Sequence, residues 1–412
     1  MPPRFPGRSR LRRAVFLLLA ACALTCRPAR AQRQPQLVLG KDASLDIGLM
    51  LQTHTFVAHE TLGSGGDRDL HPRMFLRRAR LRFTAQATRW VTVLLQTDRG
   101  DGDGRLGVEF RLIDAYAILN VHPMLRLFSG IHMAPASRQN LTLSASLVAF
   151  DRPAQAFKTL TWGTRALAQF ANRTVASTDA GFRNATPVRD VGWTTFGTTD
   201  LAPKVHFKYY AGLYEGIPLA GHRTFRTTAR VQLNLLDGER DYFNASTYQG
   251  GRRTVALGLA LDRQAKVAHD QGRILGYRHA TADLFVEHPA GPGSLSAELG
   301  ASALDLGGGR QVSTTLDPEA PRRDVRKAEG VGHYAQVAYW LGGVQPWAGH
   351  ERWYARDGAG SFKAVRFGVT RYLAGQNANL KLGYEHFWGG SPLGRGAERT
   401  WSTVAFGIFV FY

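Results

Sequence analysis

The sequence predicts an all-β protein, a transmembrane antiparallel β-barrel of about sixteen strands whose ends meet. Three features indicate this fold. One stretch alternates apolar and basic residues with a period of two, the N-terminus has the form of an export sequence, and the chain ends on an alternating run with a terminal aromatic residue. Together they predict a barrel over residues 44–412, preceded by a linker at 32–43.

Residues 75–86, FLRRARLRFTAQ, give the clearest strand pattern. Successive side chains of a strand point to opposite faces, so one face is apolar and the other is basic. The apolar face holds Phe75, Ala79, Leu81 and Phe83, and the basic face holds Arg78, Arg80 and Arg82. Only Arg77 breaks the apolar face. In a soluble sandwich these arginines would stand in bulk water, whereas in a barrel they line a water-filled pore.

The N-terminus predicts export from the cell. A basic run at 4–13 precedes an apolar run at 14–24, and Ala29-Arg30-Ala31 is a small-x-small cleavage site. We therefore expect residues 1–31 to be a signal peptide cleaved after Ala31. A membrane anchor is disfavoured, since about 11 apolar residues are too few for a bilayer core that needs roughly 20. Both cysteines lie in this leader, and an alternative lipoprotein-type site would leave Cys22 acylated.

The chain is strongly basic. Removing the seven arginines of the leader from the formal net charge of +20 leaves +13. Such an excess favours either an exposed surface that binds polyanions or an interior that attracts small anions. The basic residues are dispersed over many predicted strands, which disfavours a nucleic-acid-binding module. After the leader no run of 18 apolar residues occurs, which excludes a helical membrane protein.

Alternating runs recur along the whole mature chain. Five precede a long irregular stretch, at 44–57, 75–86, 90–97, 107–120 and 125–132. Eleven follow it, at 190–198, 204–214, 224–235, 254–263, 277–288, 294–304, 331–341, 345–354, 365–373, 379–388 and 400–412. Their even total fits a closed antiparallel wall. The irregular stretch at 133–189 is predicted to be the third extracellular loop, folded into the lumen.

The last strand resembles the end of outer-membrane barrel proteins. Its apolar face holds Val404, Phe406, Ile408, Val410 and Tyr412. In such proteins the assembly machinery reads a terminal aromatic residue, so the resemblance implies outer-membrane lipid and the barrel-assembly machinery, through Tyr412, as partners. The expected location is the bacterial outer membrane.

Four stretches in the expected order resemble the phosphate-selective porin family O/P. They are FLRRARLRF at 75–83, LIDAY at 112–116, GIHMAPASRQNLTLSASLVAFDR at 130–152 and the terminal GIFVFY. The resemblance implies a sixteen-stranded barrel, a homotrimer, and a basic channel narrowed by the third extracellular loop. The loop here is poor in lysine, whereas phosphate-specific members cluster lysines on it.

The resemblance also implies the channel-lining residues. The strand supplies Arg78 and Arg80, and the basic face adds Arg82. The loop supplies Arg138, Arg152 and Lys158, and Asp114 of LIDAY is the acidic residue near the anion. Asp114 would moderate the local field or act as a structural carboxylate. An arginine fork can bind two oxygens of an oxyanion at once and does not titrate.

No motif of a catalytic, phosphate-loop or metal-binding site occurs, so neither an enzyme nor a cofactor is expected. Asp98, Asp101 and Asp103 resemble a calcium loop, but Arg105 occupies the next ligand position. The sequence therefore predicts an outer-membrane porin for passive diffusion of small anions, phosphate or related oxyanions. The alternative is a general or oligosaccharide-type porin, in which aromatic residues contact the solute. A structural or adhesive barrel is the remaining option.

Overall fold

Sixteen antiparallel strands form a closed barrel, which confirms the predicted fold class. The computed structural model describes residues 36–62, 70–99, 110–152, 188–314, 322, 324–358, 360–389 and 399–412. The first eight strands of the wall are β1 Ser44–Leu62, β2 Leu70–Thr88, β3 Val91–Asp98, β4 Arg111–His122, β5 Leu125–Met133, β6 Arg189–Ala202, β7 Val205–Tyr214 and β8 Arg226–Leu236. The other eight are β9 Thr254–Asp270, β10 Arg273–Ala290, β11 Gly293–Asp305, β12 Gly330–Trp340, β13 Val344–Ala355, β14 Phe362–Tyr372, β15 Ala378–Gly389 and β16 Arg399–Phe411.

The barrel closes between its last and first strands. β16 pairs antiparallel with β1, with Val410 opposite Leu51, and every other wall strand pairs with its sequence neighbours. Closure leaves no open sheet edge, the condition for a sheet to lie in hydrocarbon. Two short strands are added outside the series: Gln36–Val38 on β1 and Val312–Ser313 on β9.

The wall has an apolar outer face and a buried inner face. On β16 the alternating residues Val404, Phe406, Ile408 and Val410 are exposed, whereas Thr403 and Ala405, on the opposite face, are fully buried. This is the period of two that the sequence predicts for a wall between lipid and lumen. No helix in the described ranges is long and apolar enough to cross a membrane.

Most connections are short at one end of the barrel, the turn end, and long at the other, the loop end. Two-residue turns join β2 to β3, β4 to β5, β6 to β7 and β10 to β11 at the turn end. Two connections break this pattern. Residues 237–253 join β8 to β9 at the turn end, and only Gln271 and Gly272 join β9 to β10 at the loop end. Both turn residues have positive φ, at 48° and 85°, as a tight two-residue hairpin requires.

A β-bulge at Arg77 changes the faces of β2. Gln52 of β1 lies opposite Arg78, but the next residue, Thr53, lies opposite Leu76, so Arg77 is an extra residue in β2. An extra residue reverses the alternation on its N-terminal side. The expectation that Phe75 lies on the apolar outer face was therefore wrong: Phe75 is buried inside the barrel.

The same bulge explains the one residue that broke the sequence pattern. Arg77 and Arg78 are adjacent in the chain, yet both are buried and both interact with Asp151 inside the barrel. Leu81 and Phe83, beyond the bulge, keep the outward direction that the sequence predicts, since Phe83 is exposed while Arg80 is buried. The bulge thus adds one guanidinium group to the interior without moving the rest of the strand.

Candidate permeation site

A segment from the loop end crosses the barrel interior. Residues 134–152, here the loop-end inner segment, contain a helix, α1, at Arg138–Leu141 and a single 3₁₀ turn at Ser144–Ser146. Ser137 caps α1 by accepting a hydrogen bond from the backbone N–H of Asn140 at 3.1 Å. Nearly all residues of the loop-end inner segment are buried, so this part of the connection lies inside the barrel wall rather than above it.

Hydrogen bonds fix the loop-end inner segment to strands on opposite sides of the wall. Thr281 on β10 donates to the Ala136 carbonyl oxygen at 3.1 Å, and Gln52 on β1 donates to that of Ser144 at 3.3 Å. Lys381 on β15 donates to the carbonyl oxygen of Leu147 at 2.7 Å. The segment therefore spans the interior from β10 to β15 and β1.

Arginines of β2 meet acidic residues from this segment and from β3. Arg77 Nη2 lies 3.0 Å from Asp151 Oδ2, and Arg78 donates to Gln52 Oε1 at 2.6 Å. Arg80 donates from Nε and Nη2 to Asp98 Oδ2 at 2.9 and 2.8 Å. The arginines that the sequence predicts to face the lumen are thus inside the barrel, but two of them have carboxylate partners: Asp151 lies near Arg78, and Asp98 pairs with Arg80.

Arg82 differs from its neighbours on β2. It is half-buried, and its Nε donates to Thr84 Oγ1 at 3.2 Å. In the described part of the chain no carboxylate forms an ion pair with it. Among the described residues, therefore, no acidic side chain pairs with Arg82 to offset its charge.

Asp114 accepts hydrogen bonds from two sides. Arg189, the first residue of β6, donates to both of its oxygens at 2.7 and 3.1 Å, and Gln96 donates at 2.7 Å. The predicted acidic residue therefore lies beside the arginines of β2, bound to an arginine that sequence reasoning missed. Sequence reasoning also missed Asp98 and Asp151 as partners of the β2 arginines. The sequence marked Asp98 only as part of a calcium-like loop.

Arg152 and Arg138 point in different directions. Arg152 Nε donates to the Gln139 carbonyl oxygen at 2.8 Å, and Arg152 lies near Asp151, the partner of Arg77. Arg138 instead packs over the Phe285 ring at 4.0 Å and pairs with Glu239. The structure thus separates Arg138 from the other predicted residues, and Lys158 lies outside the described residues.

Positive charge exceeds negative charge in this cluster. We name it the arginine cluster; its members are Arg77, Arg78, Arg80, Arg82, Arg152 and Arg189 with Asp98, Asp114 and Asp151. Counted over the described residues alone, six guanidinium groups and three carboxylates leave a net charge of +3. The adjoining trio of Arg366, Glu351 and Glu385 carries −1, which lowers the total to +2.

A second segment, for which the sequence analysis has no prediction, enters the interior from the turn end. Residues 237–253, here the turn-end inner segment, place Glu239 inside the barrel with an exposed fraction of 2%. Arg138 Nη1 and Nη2 donate to the two Glu239 carboxylate oxygens at 2.8 Å each. Gln232 on β8 adds a hydrogen bond at 2.7 Å, and Tyr248 Oη adds another. Such bidentate pairs give geometric specificity as well as energy.

The two inner segments also pair through their backbones. Thr142 and Asn244 form a parallel bridge, in which Asn244 N–H donates to the Leu141 carbonyl oxygen at 2.9 Å and Leu143 N–H donates to that of Asn244 at 3.1 Å. Tyr242 Oη donates to the Met133 carbonyl oxygen at 2.7 Å. Segments from opposite ends of the barrel therefore form one continuous internal structure.

Burial and charge act in opposite directions on the carboxyl groups of the inner segments. Burial alone would raise the pKa of Glu239, but the charge and hydrogen bonds of Arg138, with Lys208 and Tyr248, hold that pKa below its usual range. Asp151 is similar: burial opposes ionisation, and Arg77, Arg78 and Arg152 hold the pKa of its carboxyl below the ordinary value. Both groups are ionised at neutral pH.

The inner segments fill one side of the barrel more than the other. Inward residues of β8 to β10, such as Asn234, Thr254 and Glu287, have exposed fractions of 1% or less. The polar inward residues Arg82, Gln96, Thr92 and Asn120 of β2 to β4 are only half-buried. Among the described residues, the interior is thus most open along β2 to β4, next to the arginine cluster.

Metal binding finds no support in the described ranges, where no group of three or more His, Cys, Asp or Glu residues is arranged to hold an ion.

Comparison with known proteins shows the fold of outer-membrane porins. An anion-selective porin from Comamonas acidovorans is 12% identical and has a TM-score of 0.53, with 89% of this chain and 99% of that chain covered. OmpT, an outer membrane protein of Vibrio cholerae, is 12% identical with a TM-score of 0.51, covering 91% and 99%. Pseudomonas putida OprB, in a high-pH structure, is 11% identical with a TM-score of 0.50, covering 89% and 94%.

No family model matches the sequence, and no curated protein matches it either. The class that the fold defines is the porin-like β-barrel of the outer-membrane type. At identities near 12% the likeness shows the fold alone.

Proposed function

We propose that this protein is an outer-membrane porin for passive diffusion of small anions, phosphate or related oxyanions. The observation that carries the proposal is the net charge of +3 that the described residues give the arginine cluster, inside a barrel with the porin fold. Clefts lined by one sign of charge raise the local concentration of the opposite ion. An oxyanion would therefore be enriched at this point of the interior.

The partly neutralised arginines suit transport better than free ones would. Conduction requires sites that are attractive enough for entry and weak enough for release. Asp151 and Asp98 each offset one neighbouring guanidinium group, whereas Arg82 lies beside the half-open region of β2 to β4. An anion would thus pass from the paired arginines to Arg82 and then toward the turn end.

Replacing Arg78, Arg80 and Arg82 with alanine tests the proposal. The variant keeps three guanidinium groups and three carboxylates in the cluster, so its net charge is zero. In a planar bilayer with a tenfold salt gradient, whose ideal limit is about 59 mV, we expect the anion-selective reversal potential to move toward zero by at least roughly 10 mV. A channel that keeps its reversal potential would overturn the proposal.

The matched control removes the same charge elsewhere. Arg263, Arg273 and Arg278 are exposed residues of β9 and β10, outside the arginine cluster. Replacing these three with alanine should leave the reversal potential within about 5 mV of the unmodified channel, because exposed charges beyond a Debye length of roughly 8 Å are screened.

An oligosaccharide-type porin is less well supported. It needs aromatic rings along an open path, but the interior rings pack against each other instead. Phe128 stacks on Tyr242 at 4.2 Å, and Phe196 stacks on Tyr210 at 5.2 Å, all four being buried. Little ring surface remains for a sugar to contact.

The proposal includes the location and assembly that the sequence predicts. The chain would be exported by the leader at 1–31, inserted through recognition of Tyr412, and assembled as a homotrimer. Support for the terminal residue comes from its place in the wall: the backbone N–H and C=O of Tyr412 bond to Leu49 of β1 at 2.8 and 2.7 Å. A truncation that lacks Tyr412 should therefore insert poorly.

A further inference from the structure

The outer face of β12 to β15 carries a group of basic and aromatic side chains near the loop end. They are His333, His350, Arg352, Tyr354, Lys363, His386 and Trp388, here called the outer basic patch. The residues that alternate with them, among them Tyr334, Glu351 and Phe387, are buried inside the barrel. The patch therefore faces away from the lumen, on the side of the wall that contacts lipid.

Ladder positions bring these residues together. His333 lies opposite Arg352, Arg352 lies opposite Lys363, and Lys363 lies opposite Trp388. In the neighbouring row, His350 and His386 both lie opposite Val365. The result is a continuous surface four strands wide.

Aromatic rings hold the two permanent cations in place. Lys363 Nζ lies 4.2 Å from the centroid of the Trp388 ring, and Arg352 Cζ lies 4.6 Å from that of Tyr354. The rings of His333 and His350 are 5.6 Å apart. Cation–π contacts orient a charge but do not neutralise it, so both cations keep donors for an anion.

In the described part of this surface, no acidic side chain balances the charge. In the described parts of β12 to β16, none of the outward-facing residues is Asp or Glu, and neither Arg352 nor Lys363 forms an ion pair with a described residue. Below the patch, toward the turn end, the outer face is apolar, with Val337, Phe367 and Val404 exposed.

The depth of the outer basic patch in the membrane indicates which ligand it would bind. A lipid-facing Arg or Lys destabilises a barrel strongly at the bilayer midplane but little near the interface, so the patch belongs at the level of the lipid headgroups. Basic side chains at that level bind anionic headgroups, and Arg and Lys are the usual partners of phosphate. Tyr and Trp are enriched at the same level.

We propose that Arg352 and Lys363, with the surrounding imidazole groups, form a binding site for the phosphate groups of a phosphorylated lipid headgroup on the outer wall of the barrel. The site is separate from the arginine cluster and does not depend on which solute the interior passes. Its ligand would be a lipid of the leaflet at the loop end.

The test measures lipid binding to the folded, purified barrel in neutral detergent by native mass spectrometry. The probes are bisphosphorylated lipid A, monophosphorylated lipid A and a zwitterionic phosphatidylcholine. We expect affinity to fall in that order. The double variant R352Q/K363Q should bind bisphosphorylated lipid A about tenfold more weakly, since each cation supplies a charge-assisted hydrogen bond.

The control is R263Q/R278Q, which removes two exposed cations from β9 and β10, where Asp305 lies opposite Arg278. It should bind lipid A like the unmodified protein. Equal affinity of R352Q/K363Q and the unmodified protein overturns the proposal, as does equal affinity for the three lipids.

Inorganic phosphate distinguishes a headgroup from a free ion. We expect millimolar inorganic phosphate to leave lipid A bound, because the lipid also gains contact with the apolar wall below the patch. Displacement of lipid A by inorganic phosphate at equal concentration would overturn the assignment to lipid. If R352Q/K363Q does not fold, the single variants R352Q and K363Q and the lipid series on the unmodified protein decide the question.

Discussion

Arg138 and Glu239 form a bidentate ion pair inside the barrel although they come from connections at opposite ends of the wall, with both hydrogen bonds at 2.8 Å. Each is at most 2% exposed. The pair joins the loop-end and turn-end inner segments, and thereby sets how much of the interior is filled. The following predictions test this arrangement and the arginine cluster beside it.

Replacing Glu239 with alanine should loosen the two inner segments. Removing one partner of a buried pair costs about 3–5 kcal/mol. The charge of Arg138 would keep only the more distant carboxylate of Glu298, whose Oε1 lies 4.0 Å from Arg138 Nε. We expect a higher and noisier single-channel conductance in planar bilayers. The control is Asp241→Asn, whose side chain is 82% exposed in the same segment. Equal conductance and noise in both variants would contradict a tethering role for Glu239.

The ion pair should withstand acid. The pKa of Glu239 is lower in the folded protein than in the unfolded chain, where it is about 4.3. A depressed pKa contributes stability that is fully present above the unfolded value and is lost only as the pH falls through the folded value. Conductance noise should consequently stay constant from pH 7 to about pH 4.5. A rise in noise within that window, absent from Glu239→Gln, would disprove the expectation.

Asp151→Asn should change selectivity in the direction opposite to the triple alanine variant. Asparagine keeps an oxygen that can accept a hydrogen bond from Arg77 but removes one of three carboxylates, so the arginine cluster rises from +3 to +4. The anion-to-cation permeability ratio should increase, measured as a larger reversal potential under a salt gradient. Asp357→Asn, on the connection between β13 and β14 and outside the arginine cluster, is the control. A smaller reversal potential would argue against anion enrichment at this cluster.

Phe75→Ala tests the bulge at Arg77. Phe75 packs on His54 at 5.4 Å and on Phe56 at 5.2 Å, and both rings contact Phe150 of the loop-end inner segment. Truncating a buried Phe costs about 3–5 kcal/mol, so the melting temperature in detergent should fall clearly. Phe83→Ala, on the exposed outer face, should change it little. Similar melting temperatures for the two variants would mean that Phe75 lies outside.

A disulfide can show whether the inner segments meet in solution. Cleavage after Ala31 would leave the chain without cysteine, so Thr142→Cys with Asn244→Cys introduces the only pair. Bridge partners in a sheet have Cα atoms within the roughly 4.4–6.8 Å that a disulfide needs. We expect rapid oxidation, detected as faster migration of the denatured band. Val148→Cys with Asn244→Cys should stay reduced; the reverse result would separate the two segments.

The wall was predictable from the sequence because each strand carries its own signal. The period of two in runs such as 400–412 indicates which residues face outward, and the sixteen predicted runs correspond to the sixteen strands. The predicted strand face was wrong at Phe75 and at Arg77, where a bulge inserts a residue that no local pattern marks. A bulge is set by the register against β1, which is a property of two strands and not of one.

The interior was less predictable because it depends on contacts between distant residues. The sequence placed Arg78, Arg80 and Arg82 on one face, and the structure has all three inside. It could not show that Asp98 pairs with Arg80, or that Glu239 pairs with Arg138. Residues 237–253 have the composition of an ordinary turn connection, and only their burial reveals them as an inner segment.

The ion pair between Arg138 and Glu239 has a consequence for the order of folding. The two residues are 101 positions apart, and β6, β7 and β8 lie between them in the chain. Contacts of such separation form late, since the loop that they close must first be ordered. The wall must therefore curve through β8 before the two segments can join, and sealing of the interior is a late step in the maturation of the barrel.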